Sequence, residues 1–267
     1  MSQGLTLNLN YTYSKQLDDT GTQRSGFPIP GSVIRSGHGW AANRIDRSWS
    51  SNSVPQALSI FGTYQLPFGQ GHIGSDSFLV RAIAGGWTLS GLGTYYSGVP
   101  LLPTASSCNS TFEPNTGTCM PDVNPAFTGK TIRQNGPWGK GITNANFAAI
   151  SYINGYVGNA TQGSCGTAVG PFCNSGNFMI GDAPRAAPFG LRNPGVPNLN
   201  MGVRRTFNLN RSDRIQFVFA ADCQNVANKV TFTSINVGVD SATFGAVGSA
   251  TSNTGSRDFQ FSGRLNF

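Results

Sequence analysis

Three stretches of the sequence carry residue types that do chemistry elsewhere. Gly69-Gln-Gly-His-Ile-Gly74 has the G-x-G-x-x-G spacing that cradles a pyrophosphate. Such a cradle needs a helix N-terminus directly behind the glycines, because its free N–H groups and dipole hold the phosphates. The next residues are "SDSFLVRAIAGGW", which read as another strand, so the glycines read as a tight turn. Asp18-Asp-Thr-Gly21 contains a D-T-G triplet. Aspartic-protease chemistry needs two buried carboxylates sharing a proton, and this triplet occurs once, at the opening of a polar stretch. The two histidines, His38 and His72, lie far apart, and no G-x-S-x-G nucleophile elbow occurs. These residues give catalysis little to act with, so the expectation is a protein that is not an enzyme and holds no cofactor or metal.

The cysteines are informative by position. Cys108 and Cys119 flank "NSTFEPNTGT", and Cys165 and Cys173 flank "GTAVGPF". Both spacings sit in Gly/Asn/Thr/Pro-rich sequence. They fit local disulfides in an oxidising compartment, with free loop thiols as the alternative. A zinc site would need further ligands nearby, and the histidines are distant. Cys223 is left over and reads as a small apolar residue on a strand.

The elements that position these residues show period two almost throughout. Leu5, Leu7, Leu9, Tyr11 and Tyr13 alternate with Thr6, Asn8, Asn10 and Thr12. The same pattern recurs in Leu58–Phe68, with Phe61 as an exception, in Trp87–Tyr95, in Leu199–Leu209, in Ile215–Cys223 and in Phe259–Phe267. Alternation of this kind is a strand with one apolar face. Six strands are expected, at about 3–15, 55–68, 82–97, 196–209, 213–224 and 256–267. Each has ten residues or more, against five or six in ordinary globular strands. About ten is the length that crosses a bilayer when tilted.

Connection lengths alternate as well. Those at about 16–53, 98–195 and 225–255 are long, and those at about 69–77 and 210–213 are short. Long stretches without helical pattern argue against a compact soluble domain. Short turns on one side and long loops on the other are what a transmembrane β-barrel requires. The expected fold is therefore all-β: an antiparallel transmembrane β-barrel segment of about six long strands with long extracellular loops, a partial barrel. Short turns on the periplasmic side would place both ends of the chain there and the cysteine-bearing loop outside.

Composition agrees. Only 11% of residues are charged and 35 are glycine, in a chain of 267. The net charge is +7, but the basic residues are scattered, so nucleic acid is not an expected partner. Lys15 and Arg205 fall on the lipid-facing parity, near opposite strand ends, where a cation can snorkel. Arg204, Arg214 and Arg264 fall on the lumen-facing parity, candidates for contact with a plug or an anionic solute. Tyr11, Tyr13, Tyr95, Phe68 and Phe267 lie near strand ends, as an aromatic girdle would.

Five segments in order carry a family resemblance: "NYTYSKQLDDT", "GTYQLPFG", "GGWTLSGLGTYYSGVPLLPT", "GDAPRAAPFGLRNPG" and "RDFQFSGRLNF". Together they resemble the C-terminal barrel portion of TonB-dependent receptors, and more narrowly the Oar-like family. The resemblance implies a carboxypeptidase-regulatory-like domain and a plug upstream. It also implies further barrel strands, energised uptake of a scarce ligand (an iron chelate, cobalamin, a glycan or a peptide), and residence in the outer membrane. The implied partners are outer-membrane lipid, the plug, TonB through that plug, and the barrel assembly machinery. By the same resemblance Phe259, Phe261, Leu265 and Phe267 form a C-terminal assembly signal. Two other readings remain open on the residues: a surface β-sandwich adhesin or glycan-binding module, and a porin-like passive channel. Met1 leads directly into the first strand without a signal peptide, so the chain is expected to be one part of a larger barrel.

Overall fold

The computed structural model describes residues 4–18, 47–68, 78, 83–105, 121–130, 132, 152–153, 170–173, 182–184, 186–209, 215–229, 231, 234–239, 241, 244–249 and 256–267. The Gly69–Gly74 stretch, His38, His72, Asp19–Gly21, Cys108, Cys119, Cys165 and Arg214 lie outside them.

Six strands form one antiparallel sheet: β1 (Leu5–Tyr13), β2 (Gln56–Gln65), β3 (Trp87–Tyr96), β4 (Val196–Asn208), β5 (Gln216–Gln224) and β6 (Asp258–Asn266). Each pairs with the next in chain order, so β1 and β6 are the two edges and the sheet is not closed. One continuous layer of six strands rules out the two stacked sheets of a β-sandwich. The strands run nine to thirteen residues, the length alternation implied.

Register carries the alternation across all six strands. Leu7, Gly62, Gly91, Met201, Cys223 and Phe259 lie side by side in one row. The neighbouring row, on the other face, is Thr6, Thr63, Ser90, Gly202, Asp222 and Gln260. A slip of one residue anywhere would mix the two faces, so the pattern itself enforces the pairing.

The strand expected from residue 82 begins only at Trp87. Ile83 has helical backbone and residues 84–86 form a turn, so the strand does not extend over 83–86 as its sequence suggests. The cause is local. Gly86 takes φ +76°, a left-handed conformation that separates the turn from the strand beginning at Trp87. The Trp87 indole N–H and the Arg205 guanidinium then both donate to the Ile83 carbonyl, each at 2.8 Å, capping the helical turn.

The buried core does not lie in the sheet. Among the described residues, Ala220 is the one buried apolar side chain of the six strands. The others cluster in the long connections: Leu101, Ile132, Ile153, Phe172, Leu191, Val239 and Phe244 pack together, with Phe189 and Val237 against them. The β3–β4 hairpin supplies the stem of this cap. Its ladder runs on beyond the sheet through Asn193 N–H to Val99 O (2.8 Å) and Leu101 N–H to Leu191 O (3.0 Å). Gly98 is needed in that stem, because a Cβ there would overlap the Asn193 carbonyl. The last long connection joins alongside Thr104, whose N–H donates to Val237 O while its carbonyl accepts from Val239 N–H. Phe172 sits at the centre, edge-on to Phe189 and Phe244 at 5.6 and 5.7 Å between ring centroids. Ala187 and Phe189 hold left-handed backbone at φ 51° and 54°, which the packing around them must maintain.

Candidate functional site

The two faces of the sheet are the first functional surface. On one, Leu5, Leu7, Leu9, Leu58, Ile60, Leu89, Leu199, Met201, Val203, Phe217 and Phe219 form a continuous apolar field across the strands. Many are openly accessible; Leu7 is 63% and Phe261 69% exposed. Aromatic contacts tie β3, β5 and β6 together on this side. Trp87 meets Phe219 edge-on at 6.1 Å, and Phe219 stacks with Phe261 at 6.4 Å. In water so large an apolar field would drive association. Facing hydrocarbon, it is matched to its solvent.

The opposite face is neutral-polar, with Thr, Ser, Asn and Gln at most positions. Phe61 and Leu92 are paired exceptions within it. Arg204 lies here, opposite Thr88 and Ala220, and Arg264 lies opposite Val218. Both therefore share the expected face, but they occupy different rows and form no compact site. Asp222 brings a carboxylate to the same face and lies over Gly202, whose carbonyl accepts from the Ser90 hydroxyl at 3.3 Å.

The cap end of the sheet carries a second cluster that sequence reading does not single out. Arg192 donates through one terminal nitrogen to Ser53 O (2.9 Å) and Gly98 O (3.2 Å). Its guanidinium carbon lies 4.4 Å from the Trp49 ring centroid, and the Lys15 ammonium lies 5.4 Å from the same centroid. Arg192 thus joins the first long connection to the β3–β4 stem. Burial lowers its pKa from the ordinary guanidinium value, because the cation has lost water. Its other terminal nitrogen and the Ser53 hydroxyl are buried without hydrogen-bond partners. The available signal is a basic residue in "GLRNPG" and a Trp in "SWSSNS", both irregularly spaced. Nearby, Asn225 is fully buried: its N–H donates to the Asn200 side chain (2.9 Å), and its own side chain brackets the Lys229 backbone.

Cys173 is disulfide-bonded and fully buried in the cap core. Its partner lies outside the described residues. Cys223 is a free thiol on β5, on the apolar face. Phe259, Phe261 and Leu265 lie on that face of β6, and Phe267 comes just after the strand at 96% exposure. At the other end of the wall, Arg205 is held over Phe207 at 4.4 Å and over Trp87 at 5.7 Å.

A single antiparallel sheet of bilayer-length strands, apolar on one face, polar on the other and capped at one end, is the wall of a transmembrane β-barrel. The sequence matches the family model described as "Outer membrane beta barrel domain" over residues 1–260. The chain belongs to that family, and its place is the outer membrane, with its apolar face in outer-membrane lipid. No curated protein and no solved structure matches it.

Proposed function

We propose that this chain is wall, outer loops and C-terminal strand of a TonB-dependent receptor that takes up a scarce ligand across the outer membrane. The observation that carries the reading is the open, six-stranded wall with a folded cap at one end. Unpaired strand edges cannot face lipid, so β1 and β6 need further strands beside them, and a larger barrel supplies these. The five ordered sequence segments point the same way, to a plugged barrel of the Oar-like kind. In this reading the short turns lie in the periplasm and the cap outside the cell. The plug fills the lumen and meets TonB, and Arg204 and Arg264 face the plug or an anionic solute. The barrel assembly machinery reads the end of β6 through Phe259, Phe261, Leu265 and Phe267. The protein performs transport without a catalytic step.

The complete protein in a planar bilayer tests the reading. A plugged receptor shows no steady conductance, and ligand uptake by cells stops when TonB is removed. Steady ohmic conductance, with uptake indifferent to TonB, would instead establish a passive porin-like channel.

A further inference from the structure

A barrel wall with its apolar face in lipid turns the other face to the lumen. Phe61 and Leu92 break the polar pattern of that lumen face, and they lie directly opposite each other on β2 and β3. They are 48% and 42% exposed, and away from the strand ends each is the one exposed side chain of its strand. Their surroundings are polar without charge. In the same row Asn8 flanks Phe61 and Asn200 flanks Leu92. Two residues along each strand, on the same face, Ser59 pairs with Thr94 and Thr63 with Ser90. β1, β2 and β3 contain no acidic or basic residue at all. The charges of this face, Arg204, Asp222, Asp258 and Arg264, lie on β4, β5 and β6. Strand pairing alone does not call for an apolar pair here, since the Ser/Thr pairs on either side hold the same two strands.

We propose that Phe61 and Leu92, with the Asn, Ser and Thr side chains around them, form a subsite of the lumen wall for a neutral sugar ring. The chemistry of the patch selects this occupant. A pyranose ring has an apolar C–H face, which packs on an aromatic or aliphatic platform, and a rim of uncharged hydroxyls. The patch has the matching layout, an apolar centre inside a ring of neutral donors and acceptors. An ionic solute would find no opposite charge on the three strands β1–β3 and would meet its partners on β4–β6 instead. The inference needs the lumen-facing side of the wall and not the coupling to TonB, so a passive channel would leave it standing.

The test places a photoreactive benzoyl-phenylalanine at position 61 or 92 of the complete protein in detergent micelles. Position 58 on the lipid face and position 206 near the short-turn end of the lumen face serve as controls. The probes are maltohexaose, cellohexaose, xylohexaose and chitohexaose, with hexagalacturonate as the anionic counterpart. Adducts of at least one neutral sugar, counted by mass spectrometry, should exceed those at 58 and 206 several-fold, while hexagalacturonate stays at the level of the controls. Neutral-sugar yields no higher than at 58 would overturn the proposal, and equal capture of hexagalacturonate would overturn the neutral class. Adducts to peptides of the plug in place of sugar would show that the plug covers the patch, and would overturn it too. Phe61→Ala should weaken binding of the captured sugar by about tenfold, as expected for losing one apolar contact face. Phe61→Trp should retain it, and Thr206→Ala should leave it unchanged. An affinity unchanged in Phe61→Ala would remove Phe61 from the subsite. If that variant assembles poorly, the adduct comparison at 61, 92, 58 and 206 still decides.

Discussion

The wall and the cap solve the same problem by opposite means. In the wall, Leu7, Phe261 and their neighbours stay uncovered on a sheet only one layer deep. In the cap, Phe172, Ile153 and Leu191 are withdrawn almost completely from the surface. The first region leaves its apolar groups to an external oily solvent. The second must build its own interior from irregular backbone. The contrast teaches that the described parts of the second and last long connections form a packed structure in their own right, stabilised by an apolar cluster and a disulfide, while strand pairing stabilises the wall.

The largest effect expected is in the cap. Phe172→Ala removes the ring at its centre and should cost about 3–5 kcal/mol of cap stability. Hydrogen exchange should rise around Leu101, Leu191 and Phe244, while the heat-modifiable gel mobility of the barrel stays unchanged. Loss of both together would show that the two regions unfold as one. Cys173→Ala should act in the same direction, by about 2–5 kcal/mol, and protease digestion of intact cells should then cut the cap first. Val203→Lys tests the wall by placing a charge on the lipid face in mid-strand. It should cost about 2–4 kcal/mol, read as a lower denaturant midpoint in vesicles, while Arg204→Gln on the opposite face barely moves it. Arg192→Lys sharpens the boundary between the regions. It gives up the guanidinium fork and the flat stack on Trp49, at about 1 kcal/mol, with exchange rising at Ser53 and Gly98 but not at Phe172.

The wall is legible in the sequence because its physics is local. Period two at Leu5–Tyr13 or Asp258–Asn266 needs no knowledge of any other strand, and the bilayer replaces tertiary packing. The cap is not legible. Leu101, Ile132, Ile153, Phe172 and Val239 are far apart in sequence with no common period, and they meet only once the stem and the last connection are folded. Arg192 is hidden for the same reason, since its partners come from two distant places in the chain, Trp49 and Ser53 from one and Gly98 from the other. The start of β3 is ambiguous in a different way. Nothing in the alternation marks where the strand begins, and Gly86 with the hydrogen bonds to the Ile83 carbonyl sets it at Trp87.

The match between sheet order and chain order has a kinetic meaning. β1 with β2, β2 with β3, β4 with β5 and β5 with β6 are pairs of sequence neighbours, and four of the five ladders close over modest separations. The β3–β4 ladder must instead join Tyr96 to Val196 across roughly a hundred residues, the costliest closure in chain entropy. The cap spans that separation, and its stem continues the same ladder. If the cap gathers first, it delivers the two strands to each other already in register. The rate-limiting event in building this wall is then the folding of the part outside it.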